Sequence, residues 1–257
     1  MTMFRTRTRK DQVKGPAFYA QPRFLSRPAA RDWWTLLHPP YTLWHLSYVV
    51  IGACLVGPVN AVRLVYSVVA FFLAVGVGAH ALDELHGRPL GTAIPARHLI
   101  VASTLGVGGA VALGIVGMYQ VGPLLAIFIG VGVLLAVGYN LELFRGRLHS
   151  DALFALAWGA FPLLTAYFAQ HGNLSAASFA AALFAALLSQ AQRQLSSPAR
   201  ELRRRTLSVE GTMVRNDGTS AMVDRDSILR PLELALRSLS WSVVVLAVAL
   251  ILARSHL

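Results

Sequence analysis

Seven stretches of predominantly apolar residues, at about 41–58, 62–82, 98–118, 121–141, 151–170, 175–192 and 233–253, decide what this chain can fold into. Each approaches the roughly 20 residues that an α-helix needs to cross a bilayer core. In hydrocarbon every backbone N–H and C=O must find a partner inside the protein, so only helices and closed β-barrels span it. A barrel is excluded, because the stretches lack period-two alternation and are about twice the length of a barrel strand. Their abundant Ala, Gly, Leu and Val suit helices packed closely through small residues. The sequence therefore predicts an all-α, polytopic transmembrane helical bundle of about seven spans.

Charge supports the same reading. The net charge of +11 would suggest nucleic acid in a soluble chain, but here it follows the topology, and no nucleic acid partner is expected. Basic residues crowd the N-terminal arm (Arg5, Arg7, Arg9, Lys10, Lys14, Arg23, Arg27, Arg31) and recur after spans two, four and six. The turns at 119–121 and 171–174 carry none. By the positive-inside rule the N-terminus lies in the cytoplasm and the C-terminus outside. The expected setting is an integral protein of a prokaryotic plasma membrane, with membrane lipid as a partner. Cys54, the single cysteine, excludes an intramolecular disulfide and a thiolate metal site. The basic first 30 residues lack an apolar core, so no cleavable signal peptide is expected and span one serves as the targeting signal. Lysine occurs only at positions 10 and 14, so no span offers a Schiff-base amine for a retinal pigment.

Four regions follow. Residues 1–30 read as a basic, disordered cytoplasmic arm, punctuated by Pro16, Pro22 and Pro28. Residues 31–195 form a six-span membrane core, led in by an interfacial helix at 31–40 with Trp33, Trp34, Tyr41 and Trp44 as a membrane-surface belt. Residues 196–230 read as a basic cytoplasmic loop with a turn at Asn216-Asp217-Gly218. Residues 231–257 hold the last transmembrane helix. Nothing in the sequence sets an oligomeric state.

Three polar clusters lie after even-numbered spans, where all of them can meet over one cavity open to the cytoplasm. The first is His80, Asp83 and Glu84, followed by Arg88. Helical spacing places the first three on one face, and hard carboxylates so placed suit Mg²⁺ completed by substrate phosphates. A local Glu84–Arg88 ion pair is the plainer alternative. The second cluster is Tyr139, Asn140, Glu142, Arg145, Arg147 and Asp151, with Asp151 equally suited to cap the next helix. The third is Gln190, Gln192, Arg193, Gln194 and Arg200. Guanidinium forks suit phosphate oxygens, and cytoplasmic arginines beside a span also act as topology signals.

With these motifs the chain resembles the UbiA superfamily of intramembrane prenyltransferases over roughly residues 31–195. The likeness rests on Arg31-x-Trp33-Trp34 with His38-Pro39, the polar end of helix two before Arg88-Pro89-Leu90, Tyr139 to Arg145, and Trp158-Gly159 with Pro162. Asp83 and Glu84 stand where the family carries its first Asp-rich motif. Gln and Arg follow span six in place of the second, and Asp224 and Asp226 come some thirty residues later.

The resemblance implies a Mg²⁺-dependent transfer of a prenyl group from an isoprenoid diphosphate to an unidentified acceptor. Asp83 and Glu84 would be catalytic. Metal would be held by His80, Asp83, Glu84, Asp151 and Asp224. The diphosphate would be bound by Arg88, Asn140, Arg145, Gln190, Arg193 and Arg200. Two alternatives share the fold: a membrane terpene cyclase, and a non-catalytic protein that binds or carries a lipid or isoprenoid phosphate.

Overall fold

A computed structural model describes residues 24–143 and 150–254. Among these residues eight helices and one β-hairpin follow in order. They are α1 (Pro28–Leu37), α2 (Pro39–Cys54), α3 (Ala61–Leu85), α4 (Ala96–Val121), α5 (Leu125–Asn140), α6 (Asp151–His171) and α7 (Ala176–Arg204), then strands β1 (Glu210–Val214) and β2 (Ser220–Asp224), and α8 (Arg225–Arg254). Four of these helices, α3, α4, α6 and α8, are long and apolar enough to cross a membrane. The chain is an integral membrane protein by this measure, and the helical class expected from the spans is observed. It is not helical throughout, however. The segment 196–230, expected as a loop, divides into the last turns of α7, an antiparallel hairpin and the first turns of α8. The helix expected at 31–40 is α1, which starts at Pro28 rather than residue 31, because proline suits the first helical turn, and ends at Leu37. Residues 1–23 of the arm, and Arg145 and Arg147, lie outside the described residues.

From α2 to α8 the helices alternate in direction, and contacts at one end fix this. At one end Arg63, in the first turn of α3, donates to the carbonyls of Gln120 (2.6 Å) and Gln170 (2.9 Å), at the ends of α4 and α6. Arg254 at the end of α8 donates to Cys54 and Leu55 O, each at 3.1 Å. Cations there meet the unpaired carbonyls and negative dipole ends of helix C-termini. Arg63 and Arg254 are the only Lys or Arg at that end among the described residues. The other described arginines cluster at the opposite end.

The core of the bundle is α2 against α6, α7 and α8, with Trp44, Tyr48, Ile51, Leu163, Ala185 and Val243 buried together. Its closeness depends on glycine. A methyl group added to Gly52 would lie 2.2 Å from Leu163 O, and one on Gly159 would lie 2.5 Å from Ala185 O. No side chain fits at either contact.

Two helices widen locally to π winding, α3 over Phe72–Ala79 and α6 over Leu156–Ala160. Such turns recur at functional sites, and both lie on the walls of the cavity described next. In α6 a further feature is legible in sequence. Pro162 has no N–H to close the α-helical bond to Trp158 O. His45 on α2 supplies a partner instead, with Nδ1 2.7 Å from that carbonyl. The sequence likeness at Trp158, Gly159 and Pro162 therefore coincides with a close helix crossing and a widened turn.

Candidate functional site

The arginine-rich end of the bundle holds a cavity of about 500 Å³. Its wall on α3 carries His80 and Asp83, continued by His86. The end of α5 contributes Tyr139, Asn140 and Glu142, and α2 contributes Tyr41 and Trp44. Across the opening stands one face of α7. Arg193, Ser196, Arg200, Arg203 and Arg204 line it, at spacings that repeat along a single helical stripe. Arg205 completes the rim. The rim thus carries Arg193, Arg200, Arg203, Arg204 and Arg205 against two carboxylates, Asp83 and Glu142.

The floor is apolar and aromatic. Tyr41, Phe154, Trp158 and Val75 lie beneath the arginines. Val75 and Trp158 also line a second space of about 130 Å³, a cleft among α3, α4, α5 and α6 walled by Ala74, Val107, Gly114, Phe128 and Gly132. A charged chamber and an apolar cleft therefore share a wall.

The arginines are held in place. Arg193 Nε lies 2.8 Å from Asp151, and its guanidinium sits 5.0 Å from the centre of the Phe154 ring. Arg203 pairs with the buried Glu233 of α8 at 2.5 Å, while its Nε–H has no acceptor in the protein. Arg200 has only a 3.4 Å contact with the Ser197 hydroxyl as a described hydrogen bond.

The expected site residues separate into two groups. His80, Asp83, Asn140, Arg193 and Arg200 line the cavity. Glu84, Arg88, Asp151, Gln190 and Asp224 do not. Glu84 is fully buried, and its carboxylate accepts from Leu90 N (2.9 Å), Thr92 N (2.8 Å) and Thr92 Oγ1 (2.8 Å). Successive helical residues point about 100° apart, so His80 and Asp83 can face the cavity while Glu84 turns under the loop. Arg88 serves the same loop, donating to Ile94 O at 2.6 Å. The α1 residue Asp32 closes it by accepting from Ala93 N at 2.9 Å.

Asp151 is exposed and holds Arg193, while Ser150 rather than Asp151 caps α6, accepting from Leu153 N at 3.1 Å. Asp224 is the cap of α8: its Oδ1 accepts from Ser227 N at 2.8 Å, and Ser227 Oγ accepts from Asp224 N at 3.0 Å. Gln192, not Gln190, reaches the cavity.

His38, Tyr41 and the Arg203–Arg205 run also line the cavity, beyond the site residues expected from sequence. His38 carried a signal, since it precedes two prolines and breaks α1 from α2. It adopts a left-handed backbone (φ 44°), as do Arg88 (φ 54°) and Glu142 (φ 49°). Three strained non-glycine positions at one end of the bundle fit the tendency of such strain to gather at functional sites.

The described donors offer no complete protein-built site for a metal ion. Among the described residues no three His, Cys, Asp or Glu are grouped to hold one. Of the carboxylates expected to do so, only Asp83 faces the cavity, and Glu142 lies 3.9 Å from His86. The rim is predominantly guanidinium, a group suited to anions.

No family model, curated protein or solved structure matches this chain. The UbiA resemblance therefore rests on the motif residues alone.

Proposed function

We propose that this protein crosses the membrane seven times with its cavity toward the cytoplasm, and that it binds a lipid with a phosphorylated head, specifically an isoprenoid diphosphate. The carrying observation is the shared wall. An arginine-rimmed chamber and an apolar cleft share Val75 and Trp158 as a wall, and an amphiphile with an anionic head suits both. Guanidinium groups suit phosphate oxygens in bidentate geometry. The concentration of arginine at this end supports the cytoplasmic orientation. The isoprenoid tail comes from the UbiA resemblance.

Binding or carriage is a better reading than turnover, because Glu84 is committed to the loop and Asp224 to a helix cap. Prenyl transfer or cyclisation remains the second reading, favoured by Asp83 and His80 on the cavity wall.

Tryptophan fluorescence of the full-length protein in lipid nanodiscs, titrated with geranylgeranyl diphosphate and with geranylgeraniol, tests the proposal. The diphosphate is expected to bind at least about 10-fold more tightly, the equivalent of one charge-assisted hydrogen bond. Equal affinity for the alcohol would remove the phosphate site. Steady release of diphosphate during the titration would move the reading to catalysis.

A further inference from the structure

We infer that the cavity holds its phosphate ligand without a divalent cation, with the arginine stripe of α7 supplying the charge that a metal would bring. This rests on the lipid-phosphate reading above and specifies how the head is recognised.

A metal-dependent diphosphate site needs carboxylates that face the ligand and are free to coordinate. Mg²⁺ is usually held by one or two carboxylates together with substrate phosphates. Here the adjacent acids Asp83 and Glu84 part company. Glu84 spends both oxygens on three donors of the 86–95 loop. Asp151 is bound to Arg193 and Asp224 to the start of α8. Asp83 thus faces guanidinium groups rather than a second carboxylate from its motif, and the other rim carboxylate, Glu142, lies 3.9 Å from His86.

The arginines are arranged the other way. Arg193, Arg200 and Arg204 recur at intervals of seven and four on α7, placing them on one stripe along the cavity. Like charges so arranged repel, and the cost grows with burial. On this part of α7, beyond the expected span, burial and then Arg193 hold the Arg200 pKa below its ordinary value. Arg204 is lowered to about 10 by burial and then by Arg203 and Arg200. An anion among them relieves that repulsion. Two buried polar atoms on cavity-lining residues also have no partner within the protein, Arg203 Nε and His38 Nδ1. The cavity therefore offers a multi-point cationic cradle for a multiply charged phosphate.

Either a lipid head or a free inorganic diphosphate could enter such a cradle. The test uses the full-length protein in nanodiscs, with geranylgeranyl diphosphate and inorganic diphosphate as probes, each in EDTA and in Mg²⁺. Affinity for the lipid probe is expected to change less than about 3-fold between EDTA and Mg²⁺. It should fall about 10-fold or more in Arg200→Gln and partly recover in Arg200→Lys. Inorganic diphosphate should compete weakly, since it leaves the cleft empty; equal competition would make the site one for free diphosphate, overturning the lipid reading and leaving the metal-free cradle standing. Binding that requires Mg²⁺ and is lost in Asp83→Asn would overturn this inference while leaving the lipid-phosphate reading intact. No binding of either probe under either condition would overturn both. The EDTA comparison is made on the unaltered protein and does not depend on any variant folding.

Discussion

Asp83 and Glu84 are neighbours in sequence and are expected to behave oppositely when neutralised. Glu84 is inaccessible to solvent, and its two oxygens satisfy three donors at 2.8–2.9 Å. In Glu84→Gln one oxygen becomes an NH₂ group that cannot accept, so at least one of these donors loses its partner and two N–H groups confront each other. A buried donor left unsatisfied costs about 1–3 kcal/mol, and bonds to a charged acceptor lie toward the upper end. A loss of roughly 2–4 kcal/mol follows, which in a chain of this size lowers Tm by on the order of 4–16 °C. Asp83 lines the cavity, and Asp83→Asn is expected to shift Tm by less than half as much while altering ligand affinity. Thermal unfolding by intrinsic fluorescence in one detergent, with ligand titration of each variant, separates the two. A Glu84→Gln protein of normal Tm that no longer binds ligand would refute the division of roles.

Three further outcomes follow from local geometry. Gly52→Ala places a methyl group 2.2 Å from Leu163 O, so α2 and α6 must separate; a loss of about 1–3 kcal/mol is expected, measurable as reduced Tm, and unchanged stability would contradict the close crossing. His45→Phe removes the partner of Trp158 O and should cost about 1–3 kcal/mol, with Gln, which can still donate, recovering part in the same melt. His38 sits between α1 and α2, outside the spanning helices. Burial, then the adjacent His80 and more weakly Arg204 and Arg203, push its pKa down from 6.5 to about 3. The folded state thus resists a proton that the unfolded chain accepts. Stability from this group is full above about pH 6.5 and declines as pH falls toward 3. Tm against pH should fall less steeply over that range in His38→Gln, and an unaltered slope would contradict the assignment.

Much of the fold was legible because membrane burial imposes a strong, simple pattern. The apolar stretches mark seven of the eight described helices to within a few residues, except that α7 continues through the basic residues to Arg204 and α8 begins eight residues early, at Arg225. That extension was hidden because the hydropathy signal stops near 192 while the helix, carrying an amphipathic stripe, does not. The hairpin was hidden for a related reason: apart from the turn at Asn216-Asp217-Gly218, its strands are short and largely exposed. For the site, sequence located the correct end of the bundle but not the direction of each side chain. Helical spacing placed Asp83 and Glu84 on one broad face, yet the 86–95 loop folds back over one of them and not the other. Asp151 and Asp224 were drawn from the right region, but ion pairing and capping claim them. Arg203 to Arg205, read as charge on a loop, instead line the cavity because the helix carries them there.

Photo-crosslinking tests the central claim most directly, using a prenyl diphosphate that carries a diazirine on its tail. If the head sits among the α7 arginines and the tail enters the adjoining cleft, adducts will concentrate in the α3 and α5 segments around Val75 and Gly132, and their yield at sub-saturating probe will fall about 10-fold in Arg200→Gln. Adducts spread over the outer faces of the bundle, with the same yield in Arg200→Gln, would show that the chain contacts the probe only as surrounding lipid.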